Sequence, residues 1–359
     1  MLALNLTTHR NLPVQLHPFQ IALGNRQLLF SETLDFGKPI GIVEVGAVAR
    51  AAEHFARLSD NTCAPQLAAL VFDAGGHPRA LDWYFPITNF LTPDQLTDFD
   101  SLRDHIANHA TFGLRLVAEH RADVSSLMPA SVRGIVAGHL AEIFFFRRDI
   151  LERFLSSPRH ILLYTTSQAF KHDGGEAGGN YHLDRECVQL VLSRLFEGYN
   201  GDTPGVAPFL HEFGHMLDHF DAGAGRMGKS AGFLPGLRLS DGDLFTPRAR
   251  ELFLLGKHLE YDRYLARYIG LANPRDPFPI GHPYVFQNDT EFIAGYFEMF
   301  FRNPHYFAEL NPNLFNSLAE LFDCDTRRAW KQDFQFYINE NRKFYVSGER
   351  PWKPGLTVL

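Results

Sequence analysis

The sequence predicts an α+β fold, and three observations favour this class. The run His160–Thr165 is short and rich in β-branched and aromatic residues, which is typical of a buried strand. Within Pro208–Asp221 the apolar residues recur at spacings of three and four, as they do on one face of an amphipathic helix. Farther along the chain, three segments carry helix start signals. The chain therefore combines several helices with at least one buried strand.

The composition indicates an ordinary globular protein. Of the 359 residues, 45% are hydrophobic and 21% are charged, so the chain is long and apolar enough to bury a sizeable core. The formal charge is -7, and the sequence contains no dense block of Lys and Arg. Because the phosphate backbone selects such basic blocks, the sequence predicts no nucleic-acid partner.

Cysteine usage and hydropathy favour a cytoplasmic location. Cys63, Cys187 and Cys324 lie far apart and form neither a disulfide framework nor a metal-binding pair, which fits a reducing compartment. The segment Met1–Gln20 lacks the apolar run of a signal peptide. The most apolar stretch, Gly134–Phe146, is too short to cross a membrane and is interrupted by polar residues. We therefore expect a buried helix there and no membrane partner.

Residues 1–158 form an N-terminal region to which the sequence assigns no role. A short strand is expected at Leu70–Phe72, and helical periodicity predicts helices at Pro93–Asn108 and Val132–Leu155. No motif that carries chemistry occurs in this region. We expect this N-terminal region to bind a protein partner.

Residues 159–345 are expected to form a second domain, followed by an irregular tail at residues 346–359. The domain opens with the buried strand described above and continues through a Gly-rich loop at Asp173–Asn180. The next segment, Tyr181–Phe196, fits the period of a strand and also that of a helix. Alternation of apolar residues favours a strand up to about Leu192.

Three helices in the second domain are marked by their start signals. Thr246, followed by a proline, resembles an N-cap and predicts a helix that runs to about Ile269. The segment Asn288–Glu291 resembles a capping box and predicts a Phe-rich helix that ends near Asn303. A further helix is expected to begin at Asn311.

The segment His211-Glu212-Phe-Gly-His215 matches the HExxH pattern. Four-residue spacing places both imidazoles on one helical face, about 40° apart, where they can bind a single ion. Glu212 projects from the neighbouring edge toward the open side of that ion. Histidine nitrogens suit zinc, and a catalytic zinc has three protein ligands and an open position for water.

Two candidates compete for the third ligand. A continuation of the pattern as in metzincins would place it at Asp221, but Asp218 stands where such a helix needs the glycine at which it turns. The other candidate is Glu291 on the Phe-rich helix, with Glu298 seven residues later on the same face. Periodicity also allows Glu291 to be only the capping-box partner of Asn288, and Glu298 to be a solvated charge. The spacing leaves these interpretations open.

At these residues the sequence resembles the Mlc titration factor family of zinc peptidases, and it is also similar to the catalytic domain of anthrax lethal factor. The resemblance is carried by three segments: His211-Glu-Phe-Gly-His215-Met-Leu-Asp218, Tyr284, and Asn288-Asp-Thr-Glu291-Phe-Ile-Ala294 with Glu298. It covers residues 160–305 and departs from the family at Ile293, where a second aromatic residue is usual, and in a longer span between His215 and Glu291.

This resemblance implies a zincin-type metallopeptidase of the gluzincin class with an HExxH active-site helix. It implies one zinc ion per chain, bound by His211, His215 and Glu291, and it implies that Tyr284 faces the site. We expect Glu212 to act as the general base, which takes a proton from water and returns it to the leaving amine.

Tyr284 is expected to donate a hydrogen bond to the oxygen that becomes negative as water adds to the peptide carbonyl. If Tyr181–Leu192 contains an edge strand, an extended peptide could pair with it, so the expected substrate is a peptide or protein. The alternative is a non-catalytic regulatory protein that keeps the zinc helix as a scaffold. Glu212 argues against that alternative, because a structural zinc site needs no base.

Five other residues have simpler interpretations. Asp218 could orient a ligand imidazole or could be an ordinary carboxylate at a helix end. His219 is expected to face solvent. His172 and His182 flank the Gly-rich loop and could bind a second metal ion, but nothing in the sequence fixes their spacing. Cys187 lacks a partner that would make it a nucleophile.

Overall fold

The described part of the chain is a mixed α/β structure built around one four-stranded sheet. The computed structural model describes residues 19–23, 26–30, 85–128, 130–156, 159–176, 178–182, 187–195, 205–221, 226–227 and 246–357. This architecture agrees with the α+β class expected from the sequence. The strand expected at Leu70–Phe72 lies outside the described residues.

The strands form one larger sheet and two small antiparallel pairs. They are β1 Phe19–Leu23, β2 Arg26–Phe30, β3 Phe112–Val117, β4 Arg159–Tyr164, β5 Gly179–His182, β6 Cys187–Val191, β7 Phe220–Asp221 and β8 Arg226–Met227. The larger sheet has the order β3-β4-β6-β5. Strands β3, β4 and β6 are parallel, whereas β5 runs antiparallel to β6 and lies at an edge.

The helices are, in chain order, α1 Pro93–Asn108, α2 Ala130–Phe144, α3 Arg148–Leu155, α4 Ser167–His172, α5 Leu192–Leu195, α6 Pro208–Asp218, α7 Pro247–Tyr268, α8 Asp289–Arg302, α9 Pro304–Leu310, α10 Pro312–Phe322 and α11 Gln335–Val346. The predicted helices α1, α7, α8 and α10 are confirmed. Their N-cap residues Thr92, Thr246, Asn288 and Asn311 each accept a hydrogen bond from a first-turn backbone N–H, as the sequence indicated for the last three.

Within the segment Tyr181–Phe196, the described residues Tyr181 and His182 end β5, Cys187–Val191 form β6 as the strand prediction expected, and the short helix α5 begins at Leu192. The segment holds parts of two strands, because the chain reverses between β5 and β6. The register pairs Gly179 with Leu190 and His182 with Cys187. The strand predicted at His160–Thr165 is confirmed as β4.

The sheet crosses the boundary expected after residue 158. Strand β3 precedes that residue and β4 follows it, yet the two strands pair in parallel along their whole length. The aromatic core is also continuous across it, since the Phe144 and Phe154 rings lie 6.1 and 5.4 Å from the ring of Phe213. The part of the N-terminal region that the structure describes therefore supports the residues that follow it.

The helix predicted at Val132–Leu155 is wrong in one respect, because two helices occupy it. At Arg147 the backbone leaves the helical region, with φ -128° and ψ 64°. The Arg147 guanidinium donates to the Asp149 carboxylate at 2.9 and 2.7 Å and also to the Leu321 carbonyl. The contact with Leu321 joins the turn between α2 and α3 to the distant helix α10, and periodicity does not reveal it.

Helices α6 and α8 pack closely, and Gly214 permits this approach. A Cβ placed on Gly214 would lie 3.0 Å from the Cα of Ala294, which is closer than ordinary van der Waals contact. On the same helix Phe213 is fully buried in the aromatic core. Thus α6 directs apolar residues into the core while Gly214 brings it against α8.

Helix α6 ends at Asp218, before the end of the segment whose periodicity suggested a helix. The last two residues of that segment, Phe220 and Asp221, form strand β7, which pairs with β8. Asp221 therefore lies on a strand and not on the helix that carries the histidines. The backbone leaves its helical path here without the glycine that metzincins use.

The tail from Ser347 to Thr357 contains no helix or strand, as predicted. It is nevertheless packed against the protein and is not loose surface chain. Pro351 and Leu356 are buried, and the Gly355 N–H donates to the Phe286 carbonyl at 2.9 Å. This contact lies just before α8.

Candidate metal centre

Helix α6 supplies two histidines and a glutamate within one turn and a half. It begins at Pro208, whose ring suits the first helical position because that residue needs no backbone N–H donor. The imidazoles of His211 and His215 project together, with ring centroids 5.0 Å apart and ring planes at 84°. The four-residue spacing thus brings the two rings together as the sequence predicted.

Helix α8 supplies Glu291 from its first turn. The Asn288 side chain caps this helix by accepting from the Glu291 N–H at 2.9 Å. The Glu291 carboxylate does not complete a capping box but turns toward α6. Its Oε2 lies 3.2 Å from His211 Nε2 and 3.4 Å from His215 Nε2. A purely local capping role for Glu291 is therefore wrong.

The three side chains fit a zinc ion in both chemistry and spacing. One ligand atom from each of His211, His215 and Glu291 lies within 4.8 Å of the others. Tetrahedral zinc with ligand bonds of about 2.1 Å requires neighbouring ligand atoms to be about 3.4 Å apart. The two imidazole–carboxylate distances match that value, and two nitrogens with one carboxylate oxygen form a donor set used by catalytic zinc sites.

Glu298 lies on the far side of His211 from this cluster. Its Oε2 is 3.6 Å from His211 Nδ1, and its Oε1 accepts from the Ala207 N–H at 2.6 Å. The side chain is buried, so the interpretation of Glu298 as a solvated charge is wrong. One carboxylate thus contacts both the ring of His211 and the residue that precedes α6.

The charges around the histidines favour a cation. Burial alone would lower the pKa of His211, but hydrogen bonds to Glu291 and Glu298 outweigh burial and raise this pKa to about 10. Burial likewise opposes ionisation of Glu291, yet hydrogen bonds from the two imidazoles hold its pKa well below the usual range. Burial lowers the pKa of His215. The carboxylates of Glu291 and Glu298 thus place negative charge on two sides of the His211 ring, which favours a cation at this position.

Glu212 lies against the edge strand β5. Its carboxylate accepts a backbone hydrogen bond from Tyr181, and a Cβ on Gly179 would lie 2.8 Å from its Oε1. Burial raises the pKa of Glu212 to about 7, the charges of Glu291 and Glu298 act in the same direction, and His211 opposes them. The carboxyl group can therefore both accept and release a proton near neutral pH.

Gly179 is a site residue that the sequence analysis did not single out. The signal was present, since Gly179 lies in the Gly-rich loop before Tyr181. A glycine in a strand often marks the close approach of another group, but the sequence does not show which group approaches. Only the packing of α6 against β5 identifies Glu212 as that group.

Tyr284 reaches the centre from a short 3-10 turn, Pro283–Phe286. The His282 imidazole accepts from the Tyr284 N–H at 3.1 Å and fixes the start of this turn. The Tyr284 ring lies 6.4 Å from the ring of His211, and its hydroxyl hydrogen-bonds to Glu291. Burial and the Glu291 charge raise the pKa of Tyr284, so the phenol remains a donor at neutral pH.

Three other histidine and aspartate assignments are resolved by the structure. Asp218 is buried at the end of α6. Burial and the charge of Asp289 raise the pKa of its carboxyl group, and the charge of Lys257 opposes them. His219 is half-buried and stacks on the Tyr181 ring at 5.7 Å and 11°, so only part of its side chain faces solvent, as the sequence predicted for the whole. His172 belongs to no three-residue metal cluster among the residues that the structure describes.

Two comparisons with known proteins found no match for the chain. No protein-family model matches the chain, and no curated protein matches it. In the described ranges, no helix has both the length and the apolar character needed to span a membrane. The interpretation of the site therefore depends on its own residues and on the motif resemblance described above.

Proposed function

We propose that this protein is a zinc-dependent metallopeptidase with a zincin-type fold, acting in a reducing, cytoplasmic setting. One observation carries the proposal: the Glu291 carboxylate contacts both HExxH imidazoles, while Glu212 lies beside them. Such a cluster provides three ligands and a separate base, as catalytic zinc sites do. His211, His215 and Glu291 would hold one zinc ion per chain.

When bound, zinc supplies Lewis acidity, which polarises a carbonyl group and lowers the pKa of water to about 7. The Glu212 carboxylate accepts a proton from the attacking water. It then delivers that proton to the amine that leaves. Burial raises the pKa of Glu212 above the usual carboxyl range, which supports its role as the base.

Tyr284 is proposed to stabilise the oxygen that gains negative charge. Its hydroxyl already lies at the Glu291 carboxylate and is therefore close to the proposed ligands. The side chain is 42% exposed, which leaves it accessible to a substrate. A phenol donor at this position favours the transition state more than the uncharged carbonyl of the substrate.

The edge strand β5 is the proposed support for an extended peptide. Among the described strands, β5 has a neighbour on one side only. Backbone pairing with β5 would hold a peptide beside Glu212, since Glu212 is bonded to Tyr181 of this strand. The proposed substrate is therefore a peptide or protein recognised largely through its backbone.

The proposal is tested by comparing wild-type protein with Glu212→Gln on a peptide library, with zinc content measured in the same samples. The variant should retain zinc and lose at least about 100-fold in turnover, which is the usual contribution of a general acid and base. Glu251→Gln, at an exposed position on α7, is the matched control. Full activity of Glu212→Gln would contradict the mechanism.

Zinc binding without cleavage of any peptide by the wild-type chain would instead support the non-catalytic regulatory alternative.

A further inference from the structure

Hydrogen bonds join the tail segment, defined as residues Arg350–Thr357, to the rest of the protein, and three of them mark its path. Arg350 Nε donates to the Tyr268 carbonyl at 2.9 Å, at the end of α7. The Gly355 N–H donates to the Phe286 carbonyl at 2.9 Å. The Thr357 N–H donates to Asp289 Oδ1 at 2.9 Å. The tail segment thus runs from the end of α7 to the start of α8.

The Asp289 carboxylate joins the tail segment to a buried lysine. Lys257 on α7 is only 3% exposed, and its Nζ lies 3.0 Å from the same Oδ1 that accepts from Thr357. Asp289 is the first residue of α8. One oxygen atom therefore connects the tail segment, α7 and the first turn of α8.

The tail segment lies too close to the chain before α8 to admit a larger residue at Gly355. A Cβ on Gly355 would lie 2.0 Å from the Gln287 carbonyl oxygen. Leu356 is buried beside it, although the residues on either side are exposed. Residues Gly355–Thr357 of the tail segment thus lie directly against the backbone of residues 286–289.

That stretch of backbone lies between two residues of the proposed site. Tyr284 is two residues before Phe286, and Glu291 is two residues after Asp289. The earlier part of the loop is held elsewhere: Tyr345 donates to the Gly281 carbonyl at 2.8 Å, and Gly281 donates to Tyr296. In the middle of the loop the Phe286 ring stacks on Tyr264 at 4.1 Å, and the tail segment adds hydrogen bonds to the Phe286 backbone and to Asp289.

We propose that the tail segment is a positioning element for the proposed zinc site. By bonding to Phe286 and Asp289, it fixes where α8 begins and so keeps Glu291 within reach of both imidazoles. Because ligand positions must be held to a fraction of an ångström, release of this support weakens metal binding. This inference rests on the proposed function, since it assigns the tail segment a role at the same metal site.

The principal test compares Thr357→Pro with Thr357→Ala. Proline has no backbone N–H, so the first variant loses the bond to Asp289, whereas the alanine variant keeps it. Zinc affinity is measured on the full chain by competition with a chromophoric chelator. Thr357→Pro should bind zinc about 10-fold more weakly, as is usual when an outer residue that orients a ligand is removed, and Thr357→Ala should match wild type.

A second pair of variants tests the same contact at another residue. Gly355→Ala should also weaken zinc binding, because its Cβ collides with the Gln287 carbonyl. Lys353→Ala, at an exposed position of the tail segment, should leave zinc affinity unchanged. The visible absorption of the cobalt-loaded protein should change in Gly355→Ala but not in Lys353→Ala, because this absorption reports the arrangement of the ligands.

The outcomes separate this inference from the proposed function. If Thr357→Pro and Gly355→Ala lower the melting temperature of the metal-free protein but bind zinc as tightly as wild type, the tail segment only stabilises the fold and the inference is wrong. If the wild-type chain binds no zinc, both the proposed function and the inference fail. If only Thr357→Pro is poorly folded, Gly355→Ala decides the question.

Discussion

Helices α6 and α8 both contribute to the candidate metal centre, but they position their side chains by different means. On α6, His211, Glu212 and His215 are placed by helical geometry, because residues four positions apart lie on one face. On α8, Glu291 lies in the first turn, and its place depends on where the helix begins. Asn288 caps that beginning, and contacts from α7 and the tail segment hold it.

The difference shows two ways in which a protein can keep ligands at a fixed distance. A ligand pair within one helix needs only the local backbone, which forms wherever the helix forms. A ligand from a second helix needs the two helices to be fixed against each other, and Gly214 contributes by letting α6 approach Ala294 on α8. Substitutions on α6 should therefore alter the reacting groups directly, whereas substitutions around α8 should alter the distances between the ligand atoms.

The largest expected effect comes from removing the contribution of α8 altogether. Glu291→Ala should weaken zinc binding by more than about 100-fold, which exceeds the usual loss for a residue that only orients a ligand. Elemental analysis after dialysis against a weak chelator measures this effect. Glu309→Ala, at an exposed position on α9, is the control. Full metal content in Glu291→Ala together with loss in Asp221→Ala would favour the metzincin-like alternative.

Tyr284→Phe removes a hydroxyl from the loop before α8 without removing a ligand. Because this donor acts only after negative charge has formed, kcat should fall by about 10- to 1,000-fold while KM and zinc content stay nearly constant. Steady-state kinetics on a cleaved peptide measure the effect. Tyr261→Phe on α7 should have wild-type kinetics. Equal turnover in Tyr284→Phe and wild type would show that the hydroxyl plays no part in the reaction.

The smallest expected effect concerns the link between the two helices. Glu298 on α8 contacts His211 on α6 through one oxygen and Ala207 through the other. Glu298→Gln keeps the shape of the side chain but loses its charge, so zinc affinity should fall by about 10- to 100-fold without being abolished. A competition titration against a chelator measures this change, and exposed Glu340→Gln is the control. Unchanged affinity would leave Glu298 with a structural role only.

Much of the fold followed from local patterns. Caps at Thr246, Asn288 and Asn311 located three helices, because capping is decided by residues within one turn. The break between α2 and α3 was missed, because Arg147 makes its contact with Leu321, which is far away in the sequence. Pairing across residue 158 was missed for the same reason, since sequence spacing does not show which strands become neighbours in a sheet.

The sequence by itself determined the part of the site that depends on helical periodicity. The HExxH spacing placed His211 and His215 on one face of α6, because the backbone repeat is the same in every α-helix. Only the tertiary structure decided the direction of Glu291, whose capping and ligand roles looked equal until the packing of α8 turned its carboxylate toward α6. It also decided that Gly179 borders Glu212 and that the tail segment reaches Asp289. These contacts join residues far apart in the chain, and their geometry is set by the packing of the whole core and not by any local repeat.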